Sequence, residues 1–173
     1  MNTPSLNAWR RACRLCVPMI ALAGCVNYQV GTTLPRHLRT IMVEPFANES
    51  GEPNLENELQ RAIRQEIQRE GQLRLQSAET AAIRLRGTLL SYRLDPMRYD
   101  QNRPKTVAEY RVVVRARIEA VEAATGKAIV AQTVVGDATL RAAGDLTTAR
   151  RAALPEAARQ AAHEIVNAVV SAW

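Results

Sequence analysis

Cys25 is the residue whose neighbours prepare it most clearly for covalent chemistry. It closes the run Leu22-Ala23-Gly24-Cys25, two small residues immediately before a thiol, at the end of the short apolar stretch Leu15 to Ala23. Arg10, Arg11 and Arg14 supply a positive flank upstream. This is the pattern of a bacterial lipobox, in which the cysteine sulfur takes a diacylglycerol thioether and the freed amine takes an acyl chain. Residues 1–24 then read as a lipoprotein signal peptide, since so short an apolar stretch cannot span a bilayer but suffices for a signal core. Each buried CH₂ contributes about 0.8 kcal/mol, so one chain holds marginally and two or three hold firmly. The residues after Cys25 are Val26 and Asn27, not the aspartate that commonly retains lipoproteins at the inner membrane. The expected site is therefore the periplasmic side of the outer membrane, with the Cys25 lipid as the single covalent group and no other cofactor.

Removing the signal changes the charge arithmetic. The full chain of 173 residues carries 23 basic and 17 acidic side chains, a formal net of +6. Three of the arginines leave with residues 1–24, and so do Cys13 and Cys16, so no disulfide framework remains in an oxidising compartment. The residual excess of three positive charges is a weak argument for a polyanion partner. A periplasmic lipoprotein also meets little nucleic acid, and none is expected as a partner.

Other chemistry is not encoded in recognisable form. The glycines never fall in GxGxxG, GxxxxGK[ST] or GxSxG spacing. His37 sits beside Pro35 and Arg36 in a polar stretch, and His163 falls near Gln160 and Asn167 on the outward side of the last helix; both read as ordinary solvated histidines. No third ligand is spaced for a metal, no metal site is expected, and no free cysteine remains as a nucleophile. Glu56 and Glu58 are close in sequence but do not converge from one helix face. The chain is not expected to be an enzyme.

The elements that must position anything else follow from periodicity. Residues 25–39 read as a lipidated tether. Thr40 to Phe46 is β-rich, with Pro45 restricting it to an edge or an end. Leu55, Leu59, Ala62, Ile63 and Ile67 form one helical stripe, with Glu58, Arg61, Arg64, Gln65 and Arg69 on the solvated face and Gly71 as a left-handed C-cap. Ile83 to Leu94 alternates, with Ile83, Leu85 and Leu89 inward and Arg84, Arg86, Thr88 and Tyr92 outward; Gly87 interrupts the inward row as a candidate bulge. Asp95 to Lys105 reads as a polar loop. Thr106 to Ala123 sends Val112, Val114, Ala116 and Ile118 to one face and Glu109, Arg111, Arg115, Arg117 and Glu119 to the other. A turn at Ala124-Thr125-Gly126-Lys127 leads into a partner strand, Ala128 to Ala138. Asp145 to Trp173 is helical, with Leu154, Ala158, Ala161, Ile165, Val169 and Ala172 on one stripe and Pro155 inside, where the helix either kinks or begins anew.

The order β-α-β-β-β-α predicts an α+β domain over residues 40–173. Its architecture is a two-layer sandwich with a four-stranded, mostly antiparallel or mixed sheet and both helices on one face. The other sheet face is left to water or to a polar partner.

Several short motifs in this order resemble one family. Tyr28-Gln29-Val30 after the lipobox, Pro53-Asn54-Leu55-Glu56 at the helix start, and above all Thr106-Val107-Ala108-Glu109-Tyr110-Arg111 are similar to segments of the lipopolysaccharide-assembly lipoprotein family, LptE. The resemblance spans roughly residues 25–171. It implies a lipoprotein that plugs the outer-membrane β-barrel LptD, assists its assembly, and serves lipopolysaccharide transport to the outer leaflet. A polar sheet face suits a polar barrel lumen, which makes Arg84, Arg86, Arg111, Arg115 and Arg117 the barrel-facing candidates. The family also implies direct lipopolysaccharide binding through basic residues at one end of the sheet; here Arg103 falls at the matching loop position, flanked by Arg98 and Lys105. Arginine forks onto phosphate with charge-assisted bonds about twice as strong as neutral ones.

A competing reading is an outer-membrane lipoprotein that partners or activates a cell-wall synthase, or that belongs to a secretion complex; the identity of the partner separates the two. A lipoprotein with an apolar ligand pocket would need a cavity that alanine-rich helices leave little room for.

Overall fold

The computed structural model describes residues 34–103, 105–141 and 146–173. Cys25 and the signal lie outside the described residues. A turn of 3₁₀-helix, Arg36–Leu38, precedes strands β1 (Thr40–Val43) and β2 (Ala47–Asn48), helix α1 (Leu55–Glu70), strands β3 (Arg74–Leu75), β4 (Ile83–Tyr99), β5 (Val107–Glu122) and β6 (Ala128–Arg141), and helix α2 (Leu146–Val170). Within the stretch read as a tether, Leu34 and Leu38 are buried in the core.

The sheet has six strands, not four. Its order is β3-β1-β4-β5-β6, with β2 also against β4; β1 and β2 run parallel to β4, β3 runs parallel to β1, and β4-β5-β6 form an antiparallel meander. The strands missed by periodicity, β2 and β3, are two residues each, too short to show alternation. Pro45 falls between β1 and β2, where its missing N–H and fixed φ interrupt the pairing.

The long hairpin β4–β5 also departs from expectation. Strand β4 runs on to Tyr99 through what reads as loop, with register shifts on either side of Arg98 that accommodate Pro96. A further shift lies between Leu89 and Ser91, not at Gly87. It makes Leu90 the extra residue and reverses the alternation beyond it. Tyr92, expected outside, is therefore buried. Gly87 instead makes room for its neighbours, since a Cβ there would stand 2.5 Å from the Phe46 ring and 2.6 Å from the Arg117 carbonyl.

The turn after β5 matches its sequence. Gly126 takes φ +70°, its N–H donates to the Glu122 carbonyl, and Glu122 and Lys127 close the hairpin. Helix α1 ends as its sequence predicts, on Gly71 at φ +80°, whose N–H donates to the Ile67 carbonyl. Helix α2 is assigned without a break through Pro155. It ends at Val170, so Ala172 lies past the last turn and is exposed.

Both helices and the inward residues of the sheet share one apolar core. The stripe Leu55, Leu59, Ile63 and Ile67 of α1 and the row Ala153, Ala157, Ala158, Ala161, Ala162, Ile165 and Val169 of α2 bury together with Ile83, Leu85, Leu89, Val112, Val114, Ala116 and Ile118. The alanines let α2 lie close to the sheet, and Gly136 of β6 marks the closest point: a Cβ there would stand 2.3 Å from Ala161 N and 2.5 Å from its Cα. The obstacle is backbone, which cannot swing aside.

Two polar ties cross the core's rim. Glu52, 8% exposed, accepts from the Arg150 guanidinium at 2.6 Å. That guanidinium lies 5.2 Å from the Tyr92 ring centre, and Tyr92 OH donates to the Arg150 carbonyl at 3.2 Å. Burial, with the Glu52 charge adding to it, pushes the Tyr92 hydroxyl up to about 12. The second tie joins the helices: Glu66, 6% exposed, contacts Arg69 and accepts from His163 Nδ1 at 2.8 Å. His163 is thus partnered, not simply solvated. Burial alone raises the Glu66 carboxyl, but hydrogen bonds from His163 and Arg69 outweigh it and hold the group below the ordinary glutamate range.

Two outcomes follow for stability. Gly136→Ala must push α2 off β6, and overpacking of this kind costs about 2 kcal/mol, to be read as a lower unfolding midpoint in urea. For Glu66 the folded carboxyl is depressed, so its stabilisation is complete above the ordinary glutamate range and fades as pH falls below about 4. Urea midpoints followed from pH 7 to pH 3 should show this acid-side loss in the native chain and a flatter profile in Glu66→Gln.

Candidate functional site

The face of the sheet turned away from the helices is the surface on which the sequence places most of its candidates. Cross-strand register fixes its rows. Arg86 lies opposite Glu119, Thr88 opposite Arg117, Ser91 opposite Arg115, Arg93 opposite Val113 and Asp95 opposite Arg111. On the other side of β5, Arg117 lies opposite Thr133, Arg115 opposite Val135, Val113 opposite Asp137 and Glu109 opposite Arg141. The Leu89–Ser91 bulge adds Arg93 to this face. The full length of β6 adds Arg141, which lies past the strand end read from the sequence.

The carboxylates on the same face sort the arginines into two classes. Arg86 is held by Glu119 at 2.8 Å, and Arg111 by Asp137 at 2.9 Å, a hydrogen bond that keeps its guanidinium firmly charged. Glu109 takes both Arg98, at 2.8 Å, and Arg141, at 3.6 Å. Arg84, Arg115 and Arg117 have no carboxylate partner among the described residues. Arg115 and Arg117 project from one face of β5 about 7 Å apart, flanked by Ser91, Thr88 and Thr133. A shallow depression of about 190 Å³ opens beside them between Arg86, Thr88, Arg117 and Glu119. Two unpaired guanidiniums with hydroxyls alongside can receive a phosphate or carboxylate group without first breaking an ion pair.

The second candidate lies at the β4–β5 tip. From Asp95 to Tyr99 every residue is exposed, so the hairpin end stands clear of the helix layer. Arg98 is on β4, not in a loop, and is tied to Glu109. Arg103 lies 3.4 Å from Asp100. The Asn102 N–H, and then the Arg103 N–H, donate to the Asp100 carboxyl and hold it below the ordinary aspartate range. Lys105 is exposed and has no ion-pair partner among the described residues. Met97 and Tyr99 are exposed beside these cations, which gives the tip apolar and basic character together. The structure brings Arg98, Arg103 and Lys105 to one tip and sets it apart from the Arg115–Arg117 pair along the same hairpin.

The ties Glu66–His163 and Glu52–Arg150 escape the sequence reading. For Glu66 a signal existed: it follows Ala62 by four and Ile63 by three, which places it on the buried stripe.

With this geometry in view, comparison by sequence is decisive. The family described as LptE, Lipopolysaccharide-assembly, matches residues 38–169, which takes in the sheet and nearly all of both helices. The chain belongs to the LptE family. No curated protein matches it by sequence. Among solved structures, this LptE-family chain is similar to rare lipoprotein B from Shewanella oneidensis (TM-score 0.50, 14% identity, covering 76% of this chain and 94% of that one). It is also similar to a PelC dodecamer subunit from Paraburkholderia phytofirmans (TM-score 0.52, 15% identity, 80% and 94% covered) and to a DUF330-family protein from Xanthomonas campestris (TM-score 0.57, 10% identity, 80% and 90% covered). At such identities the likeness is one of fold. The layered α+β architecture is therefore what this LptE-family chain shares with them.

Because Arg115 and Arg117 hold no carboxylate among the described residues, reversing both to Glu should leave the thermal midpoint nearly unchanged. Surface substitutions of this kind fall within about 0.5 kcal/mol. Circular dichroism melting checks it.

Proposed function

We propose that this chain is an outer-membrane lipoprotein, anchored through acylated Cys25 on the periplasmic side, whose domain seats in the lumen of the β-barrel LptD and assists its assembly and the passage of lipopolysaccharide. The observation that carries the reading is the family match across residues 38–169. The polar sheet face supports it: a barrel lumen wide enough to hold a plug is polar, and this face offers Arg84, Arg115 and Arg117 without a carboxylate partner among the described residues, with Arg86 and Arg111 in exposed ion pairs that exchange partners at little cost. The role is one of binding and assembly, not catalysis.

Lipopolysaccharide contact is proposed at the hairpin tip, where Lys105 has no ion-pair partner among the described residues and Arg98 and Arg103 are held only by the half-buried carboxylates of Glu109 and Asp100 in ion pairs at the surface. Exposed pairs are worth about 0–1 kcal/mol, so an incoming phosphate can displace them. Met97 and Tyr99 beside these cations suit a ligand with an acyl portion next to its phosphates.

A photo-crosslinking residue at Arg115 or Arg117, activated in intact cells, should join this chain to LptD. Recovery of a cell-wall synthase or a secretion component instead would transfer the chain to the competing reading. In vitro, Arg103→Glu with Lys105→Glu should lower lipopolysaccharide affinity about tenfold with an unchanged melting midpoint, a loss of roughly 1.4 kcal/mol. Unchanged affinity would remove the tip from the binding site.

A further inference from the structure

The exposed sheet face is built in cross-strand rows, and two of them break its charge pattern. Along much of the face an arginine of one strand takes a carboxylate from the next: Arg86 from Glu119, Arg111 from Asp137, and Arg98 and Arg141 from Glu109. The rows Thr88–Arg117–Thr133 and Ser91–Arg115–Val135 carry no acid. Arg115 and Arg117 therefore project side by side, about 7 Å apart, with hydroxyls and a valine in place of a carboxylate. The acids of the adjoining rows, Glu119 and Asp137, are engaged by Arg86 and Arg111. Two like charges so placed repel each other, and among the described residues neither has a carboxylate of its own.

The surroundings of the pair select what can relieve it. The depression of about 190 Å³ beside Arg117 is shallow and open, a poor enclosure for a small free anion. Apolar groups adjoin the guanidiniums: Val135, the cross-strand neighbour of Arg115, is 47% exposed, and Val113, two residues before Arg115 on the same face of β5, is half-buried. A partner that covers valine and neutralises arginine in one contact is a protein surface, whose interfaces combine buried apolar area with arginine. Sheets packed face to face keep their strands within about 30° of each other, so one partner strand can follow β5. The lumen-facing residues of a barrel strand recur at every second position, a repeat of about 7 Å that matches the separation of Arg115 from Arg117.

We propose that Arg115 and Arg117 receive two carboxylates set two residues apart on one lumen-facing strand of the barrel wall, with a small or apolar side chain at the next alternate position against Val113 and Val135. Each guanidinium forks onto one carboxylate, and the hydroxyls of Ser91, Thr88 and Thr133 stand beside the two arginines to donate to the same oxygens. The inference rests on the barrel reading above and adds to it the chemistry of the contact. A strand without the acidic pair, or with its acids at adjacent positions that point to opposite faces, leaves at least one arginine uncompensated. Charge and spacing together thus select one strand of the wall over its neighbours. Arg86 and Arg111 keep their own carboxylates and frame the site.

A photo-crosslinking residue at Val135 leaves both arginines in place and tests the barrel reading by itself in intact cells, where it should capture LptD. Arg115→Glu with Arg117→Glu in the full-length lipidated chain should then lower LptD co-purification at least tenfold. Arg115→Lys with Arg117→Lys, which keeps the charge and loses the fork, should lower it less, with circular dichroism reporting the fold of each variant. Changes in LptD selected to restore co-purification with the Glu variant should replace Asp or Glu by Lys or Arg at two lumen-facing positions two residues apart. A Val135 crosslink that does not reach LptD removes the barrel reading, and this site with it. With LptD captured, unchanged co-purification of the folded Glu variant would overturn the site alone. So would restoring changes at positions that bear no acid. A Glu variant that keeps LptD but loses lipopolysaccharide affinity would also overturn it and give the two arginines to lipid phosphates.

Discussion

The close approach of α2 to β6 at Gly136 is the contact on which most of the domain depends. With no side chain on Gly136 and only methyl groups on the buried row Ala153, Ala157, Ala158, Ala161 and Ala162, the helix backbone rests nearly on the strand. Small residues bury little area each, so this seam gains its stability from closeness and from the number of dispersion contacts it allows. Once α2 is set there, Arg150 reaches Glu52 and Tyr92 at one end, and His163 reaches Glu66 farther along. Helix α1 is thereby held in the same layer. The apolar core lies on one side of the sheet, and the opposite side carries mostly polar groups, with Val113 and Val135 among them.

That opposite side mixes charges of both signs, with arginines in excess, and is not a uniform block of positive charge. Asp95, Glu109, Glu119 and Asp137 lie among the arginines and engage several of them. Net charge alone says little about such a surface, since several of its charges are paired within a few ångströms and others are not. Among the described residues, Arg84, Arg115 and Arg117 are the arginines of this face left without a carboxylate. Arg115 and Arg117 have Ser91, Thr88 and Thr133 as cross-strand neighbours, hydroxyls that can share in holding a ligand.

Much of this was legible from residue types and spacing because the elements concerned are long and strongly periodic. The stripe of α1, its Gly71 cap, the β5 alternation and the Gly126 turn all agree with their local sequence. The strands β2 and β3 were not legible, since two residues cannot alternate and their pairing is set by parallel neighbours far along the chain. Tyr92 was misplaced because one added residue, Leu90, reverses a period of two, and nothing in the local sequence marks the site more strongly than Gly87 does. The first part of the loop expected over Asp95 to Lys105 is strand as far as Tyr99, because pairing with β5 outweighs the polar composition and Pro96 at a register shift. His163 was misread because its partner, Glu66, lies on another helix. The arginines were found, but which of them are paired depends on cross-strand neighbours that no one-dimensional pattern contains.

The bulge at Leu90 gives β4 two phases along one strand. Before it, odd-numbered residues face the core; after it, even-numbered residues do, as Leu89 and Tyr92 show. A strand of this length would otherwise need one unbroken alternating code, and every sequence change would be judged against a single frame. With a phase break, the half that carries Arg84 and Arg86 and the half that carries Arg93 and Asp95 are read in independent frames. The inner half can stay fixed by the core while the outer half, including the hairpin tip, varies in length by a residue without inverting the part that folds the domain.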